Sequence, residues 1–239
     1  MINFNYELQP GKKLNNRYES TTITPLVTIV TPYYNSSSKM LQTYNCVMNQ
    51  TFPWYEWIIV NDGSTEEETK WLNSLSQTDS RIKLFHKENG GIGSARNLGI
   101  KKSMTDYIVP LDADDLIDAT FLEITYWALQ KNPDASWSYT DSVGFEGQEY
   151  LWKKSFSSKL MKIENLLVCT AMIRKSDLEA VGCYNDSQKH MNEDWHLWLM
   201  LLNQHRFPVH INEYLFWYRR NSTGVLSIVN NNSDIKKAS

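Results

Sequence analysis

Leu111-Asp112-Ala113-Asp114-Asp115 ends an apolar run abruptly in three carboxylates within four residues. Such charges repel unless solvent or a cation relieves them. A hard divalent ion, Mn²⁺ or Mg²⁺, takes oxygen ligands and typically shares its shell with substrate phosphates. Asp114 with Asp112 is therefore a candidate metal pair. A solvated turn leading into a helix cap is the alternative.

Four other stretches carry potential chemistry. Asn61-Asp62-Gly63-Ser64-Thr65 places a carboxylate beside a glycine turn, where Asp62 could accept hydrogen bonds from a base edge or a sugar hydroxyl. In Asn89-Gly90-Gly91-Ile92-Gly93-Ser94-Ala95-Arg96-Asn97, glycines permit close backbone approach and a helix N-terminus favours phosphate. The Gly-Lys-Ser/Thr ending of a Walker A loop is missing there. Asn192-Glu193-Asp194-Trp195 precedes an apolar helix, so its carboxylates either cap that helix or supply a general base. Arg219 and Arg220, followed by small polar residues, could bind a diphosphate or form a basic loop.

These stretches need elements to hold them. Leu26 to Val30, Trp57 to Val60, Ile82 to Phe85 and Tyr107 to Leu111 read as short buried strands. Helical spacing follows each: Met40 to Met48, Trp71 to Leu75 after an acidic first turn at Ser64 to Glu68, and Gly90 to Lys102. Asp118 to Lys131 is the next helix, with Asp118 as its expected N-cap. This alternation predicts an α/β fold, a mostly parallel sheet with helices on both faces. Ligands bind such sheets at the carboxyl ends of the strands, where the candidate residues fall. Residues 1–25 read as an N-terminal extension or linker, 26–228 as the folded domain and 229–239 as a polar tail. The extension suggests a domain of a larger polypeptide.

Composition narrows the partners. A net charge of −3 with no long Lys/Arg run gives no basis for a nucleic-acid partner. Three scattered cysteines, Cys46, Cys169 and Cys183, suggest buried free thiols in a reducing compartment rather than a disulfide framework. No apolar run approaches the ~20 residues of a membrane span, and no signal-peptide core is visible. The expectation is a soluble, cytoplasmic protein. Nine Trp and thirteen Tyr leave room for peripheral contact with the inner face of a membrane.

Taken in order, the stretches resemble family 2 glycosyltransferases of the GT-A, Rossmann-like fold. The match runs through Val27 to Asn35, Val60 to Ser64, Asn89 to Gly99, Leu111 to Asp115 and Glu193-Asp194-Trp195, with a weaker one from Tyr218 to Ser227. The resemblance implies an inverting transferase that moves a sugar from a nucleotide-sugar donor, by default UDP-linked, to a glycan or glycoconjugate hydroxyl. Bacterial surface polysaccharide synthesis is a fitting setting. By resemblance, Thr31, Pro32, Tyr33, Asn35 and Asp62 hold the nucleoside. Asn89, Gly91, Ser94, Arg96 and Asn97 close over the nucleotide, and Asp112 and Ala113 also face it. Asp114 with Asp112 forms the metal-binding D-x-D, and Asp194, beside Glu193, is the catalytic base. Trp195, Arg219, Arg220 and Ser227 are assigned to the diphosphate or acceptor. Many relatives carry a histidine after the Tyr-Arg pair. Here Asn221 stands there, so water and diphosphate complete the metal shell, or His190, His196 or His210 substitutes. Trp137, Tyr139, Trp152 and Phe156 either stack on sugars or fill core. Two other readings are a nucleotidyltransferase and a non-catalytic sugar-nucleotide module. The first would place a glycine-rich, Arg-containing loop where Thr31-Pro32-Tyr33-Tyr34-Asn35 stands; the second leaves the paired carboxylates unexplained.

Overall fold

A computed structural model of the chain describes residues 24–153, 155–186 and 192–220. The expected extension, except residues 24 and 25, and the expected tail lie outside these residues, as do His190, Asn221 and Ser227.

Strand β1 (Val27–Tyr33) is buried along its whole length, as expected of a central strand covered on both faces. It pairs in parallel with β2 (Tyr55–Asp62) and with β4 (Tyr107–Pro110), and β2 pairs in parallel with β3 (Ile82–Lys87). β1 runs three residues further than its apolar composition suggested, through Pro32. The carbonyl of Val30 accepts the Leu111 N–H (3.0 Å). By the two-residue alternation of a strand, the N–H that Pro32 lacks faces the same side, beyond the last β4 pairing at Pro110.

The remaining strands are β5 (Leu116–Ile117), β6 (Ala135–Glu146), β7 (Tyr150–Trp152), β8 (Met172–Arg174) and β9 (Phe207–Arg220). Among the described residues the sheet order is β3-β2-β1-β4-β8-β6-β9-β5, with β7 on β6. β8 joins β4 and β6 in antiparallel fashion, while β6 and β9 form a long parallel pair. The fold is thus α/β with a curled sheet: a parallel first half carries the strand ends of interest, and a mixed second half walls one side.

Alternation along the strands sorts two cores. Ile29, Trp57, Ile59 and Val109 face helices α1 (Ser37–Met48), α2 (Glu66–Ser76) and α4 (Phe121–Lys131). Val30 and Ile108 face α3 (Ile92–Lys102), α5 (Lys175–Ala180) and α6 (Glu193–Asn203), where Trp137 and Trp198 stack at 5.2 Å. α3 lies very close to β1: a Cβ on Gly99 would stand 2.3 Å from a Val30 methyl. Only a glycine lets the helix carrying Arg96 sit this near the sheet.

Three local expectations shift. α2 starts from a Thr65 cap whose hydroxyl accepts the Glu68 N–H, with Glu66, Glu67 and Glu68 in its first turn. α3 starts at Ile92 behind Gly91, whose φ of 87° closes the glycine loop. Asp118 is not the cap of α4. Its Oδ1 accepts the N–H and hydroxyl of Thr120, making a turn before a helix that begins at Phe121. Trp137 and Tyr139 are fully or nearly buried and belong to the core rather than to an open sugar platform. Cys46 and Cys169 are buried free thiols; Cys183 is only partly covered.

Candidate active site

Arg96 is 1% exposed, projects from the second turn of α3 and is the centre of the site. One terminal nitrogen donates to Asp112 Oδ1 at 2.6 Å and the other to Glu193 Oε1 at 2.7 Å. The Tyr184 ring lies against the guanidinium, 5.2 Å from its carbon. Arg96 Nε is buried without a hydrogen-bond partner. A single planar fork thus fixes the acidic tip of β4 against the start of α6, residues 81 positions apart in sequence.

The acidic tip has an internal division of labour. Asp112 Oδ2 receives the Cys169 thiol at 3.7 Å, so both carboxylate oxygens meet the chain's own groups. The Ala113 and Asp115 carbonyls accept the Thr43 hydroxyl. Asp114 is half-buried, and its carbonyl accepts Arg219 Nε at 2.6 Å. Asp115 is buried; burial first, then the neighbouring Asp114 and Asp112 charges, push its carboxyl well above the usual carboxylate range. Its Oδ1 accepts the Arg219 N–H at 2.8 Å, and its Oδ2 is orphaned. Asp115 therefore pins β9 to the tip, and its upward shift comes chiefly from its removal from solvent.

Asp194 stands one residue beyond Glu193. The Trp195 N–H donates to its Oδ1 (2.7 Å) and Asn165 Nδ2 to its Oδ2 (3.2 Å). Burial and the Glu193 charge raise its pKa to about 6, against the opposing pull of Arg96 and the two donors. A carboxylate poised this near neutrality suits proton abstraction.

The nucleoside-side candidates gather at the ends of β1 and β2 and in the loop before α3. Asn35, at φ 47°, ties two of these turns together: its N–H donates to Ser64 Oγ and its Oδ1 accepts the Thr65 N–H. Asp62 accepts Lys87 Nζ (2.7 Å) and the N–H groups of Gly90 (3.0 Å) and Gly91 (2.9 Å), organising the glycine loop. Gly63, at φ 76°, lies against this loop, where an added Cβ would sit 2.8 Å from the Asn89 nitrogen. Exposed Asn89, buried Gly91 and half-buried Ser94 line the same turn.

Several predicted residues sit in the neighbourhood but serve the scaffold here. The Thr31 hydroxyl accepts the Trp57 indole N–H, and buried Pro32 continues the strand. Tyr33 donates to Glu68 and stacks on Trp71, pointing toward α2. Asn97 exchanges two hydrogen bonds with the Tyr184 backbone. Trp195 donates its indole N–H to the Met161 carbonyl and packs on the second core. Each side-chain nitrogen of Arg219 meets a group of this chain (Asp114 carbonyl, Glu146 and Gln42), so Arg219 acts as a brace rather than as an open diphosphate ligand. Arg220 lies between the Tyr150 and Tyr218 rings. His210 pairs with Asp141 at 2.7 Å, and His196 sits on α6 with a buried, unpaired Nδ1. Sequence reasoning missed Lys87, Asn165 and Cys169 as members of the site. Lys87 is the last residue of β3, a strand end, and was findable; the other two come from a segment without a motif.

Comparison with known proteins identifies the family and the fold. The chain belongs to Glycosyl transferase family 2, whose profile matches residues 28–193. It is 28% identical over 230 residues to an uncharacterized glycosyltransferase of Rickettsia felis, covering 88% of this chain and 37% of that protein. It is 25% identical to glycosyltransferase GlyG of Streptococcus pneumoniae, covering 84% and 73%. Among solved structures, Staphylococcus aureus TarS 1–349 in complex with UDP-GlcNAc superposes with a TM-score of 0.72 at 17% identity, covering 84% of this chain and 60% of that one. The fold is therefore of the GT-A glycosyltransferase type, and the chain spans little more than a third of the Rickettsia felis relative's length.

Replacing Arg96 with Met leaves two carboxylates facing each other without their cation. We expect a loss of about 3–5 kcal/mol in urea unfolding at pH 7. Arg96→Lys recovers little of it, because one ammonium lacks the fork that spans both partners. Wild-type stability in Arg96→Met would show that the bridge does not organise the site.

Proposed function

We propose that this chain is the catalytic domain of an inverting glycosyltransferase, using a nucleotide-sugar donor and a hydroxyl acceptor on a glycan or glycoconjugate. The observation that carries the reading is the Arg96 bridge, which ties the acidic tip at Asp112 to Glu193, the neighbour of the proposed proton acceptor Asp194. UDP is the preferred nucleotide, since the TarS comparison structure holds UDP-GlcNAc. A hexosyl or N-acetylhexosaminyl group suits that donor class, and surface polysaccharide assembly suits the acceptor class. Among the described residues no helix is long and apolar enough to cross a membrane. A peripheral contact with the inner membrane face and further domains of a longer polypeptide belong to the same proposal.

In this reading Asp62 and the loop it organises, with Asn35, Asn89, Gly91 and Ser94, receive the nucleoside. The strand end at Thr31, Pro32 and Tyr33 and the helix face at Arg96 and Asn97 hold that pocket in shape. Asp112, Ala113 and Asp114 face the diphosphate. Arg220 and Trp195 border the acceptor side, Arg219 braces it, and Ser227 is assigned to it by resemblance alone.

The donor set at the tip suits a hard divalent cation. Asp112 and Asp114 offer carboxylate oxygens close together at the end of β4, a hard donor set for such an ion. Among the described residues no group of three or more His, Cys, Asp or Glu side chains forms a ready-made metal shell. Asp112 and Asp114 would therefore hold Mn²⁺ or Mg²⁺ jointly with the diphosphate and water. When bound, the ion supplies Lewis-acid stabilisation of charge on the leaving diphosphate.

The chain's own residues do the remaining work. Asp194, as carboxylate, takes the acceptor hydroxyl's proton. The freed oxygen attacks the anomeric carbon from the face opposite the diphosphate, inverting the configuration, and the nucleoside diphosphate leaves with the bond electrons. Arg96 keeps Glu193, and with it Asp194, at a fixed distance from the leaving-group side. No covalent sugar–enzyme intermediate is needed.

Two outcomes check this. Asp194→Asn lowers kcat by about 10²–10⁴-fold while nucleotide affinity persists. Its melting temperature at pH 7 does not fall, because burial raises the native pKa and the ionised carboxylate is costlier folded than unfolded. For the same reason wild-type activity falls as pH drops through about 6, where Asp194 takes up a proton. Full activity in Asp194→Asn would refute the role. Second, UDP should raise the melting temperature more with Mn²⁺ than with EDTA, and Asp114→Ala should abolish that difference. Equal shifts with Mn²⁺ and EDTA in the wild type would contradict metal-assisted binding.

A further inference from the structure

The loop before β8 crosses the site from one carboxylate to the other. Asn165 Nδ2 donates to Asp194 Oδ2 (3.2 Å), and four residues later the Cys169 thiol meets Asp112 Oδ2 (3.7 Å). Between them Leu166 and Leu167 are buried in the second core, and the Leu166 N–H meets Met161 Sδ. The strap is thus anchored by packing and reaches the catalytic groups from outside α6.

Asn165 is fixed in a particular sense. Its Oδ1 accepts the N–H of Leu167 at 3.2 Å, a turn closed by the side chain over two residues. With the oxygen committed there, the amide nitrogen must face Asp194. The Trp195 N–H holds only the other oxygen, Oδ1, and belongs to the same helix as Asp194. Arg96 is engaged by Asp112 and Glu193.

We propose that Asn165 is a positioning residue: its locked amide holds the Asp194 carboxylate in one orientation and favours its ionised form without neutralising it. The inference rests on Asp194 being the base. A cation in place of Asn165 would tie up the carboxylate and weaken it as a proton acceptor. A neutral donor stabilises the charge modestly and leaves lone pairs for the acceptor hydroxyl. The other groups facing Asp194 are Glu193 on its own helix, Arg96 on α3, Cys169 on the strap and Tyr184 beyond α5. None of them is changed by altering residue 165.

The test follows Asp194 directly, by carbon NMR of carboxyl-labelled aspartate in the full chain, with its resonance assigned by its loss in Asp194→Asn. Asn165→Ala should raise the Asp194 midpoint by about one unit. Asn165→Asp, which keeps the Leu167 acceptor and the shape, should raise it further, because two carboxylates then share one site. The acid limb of UDP release from UDP-GlcNAc should move with it, while UDP affinity stays within about twofold of wild type. An unchanged midpoint in folded Asn165→Asp overturns the positioning role even if Asp194→Asn is inactive. A shifted midpoint combined with an active Asp194→Asn would instead overturn the base assignment.

Discussion

A buried guanidinium held between two carboxylates is the constraint on which the rest of the structure depends. Arg96 cannot lose its charge, and its fork has a fixed geometry. Asp112 and Glu193 must therefore meet it at one separation. Everything around it serves that meeting. Gly99 lets α3 lie against β1, Asn97 secures the Tyr184 segment, and Tyr184 lies against the guanidinium. The same bridge joins the parallel half of the sheet, which carries the loops proposed for the nucleotide, to the helix that carries Asp194.

The poise of Asp194 follows from where this bridge stops. Arg96 touches Glu193 and not Asp194, so its attraction only partly offsets burial and the Glu193 charge. A direct contact would have made Asp194 an ordinary acidic carboxylate. Asp115 shows the opposite extreme, fully buried with one oxygen orphaned, and it serves the scaffold. Adjacent acidic residues thus take different roles according to the donors that reach them.

Much of this was legible in the sequence because it is local. The parallel strands, the glycine loop before α3, the acidic tip after β4 and the carboxylates opening α6 are periodicity and turn chemistry that a few residues encode. What the sequence does not show has a different cause. Arg96 is expected among the residues that close over the nucleotide and Arg219 with the diphosphate or acceptor, but their partners within the chain lie 16 to 177 positions away and are visible only in the fold. Asn165 gave no signal, since an asparagine in an irregular loop acquires meaning only when folding brings it to Asp194. β1 passed through a proline that composition alone would place at its end.

The most direct test is a crystal structure of Asp194→Asn with UDP-GlcNAc and Mn²⁺. The account predicts the diphosphate and metal at Asp112 and Asp114, Arg96 still joining Asp112 to Glu193, and residue 194 facing the anomeric carbon from the side opposite the diphosphate. A donor bound away from the β4 tip, or Arg96 released from Glu193 to grip the phosphates, would contradict it.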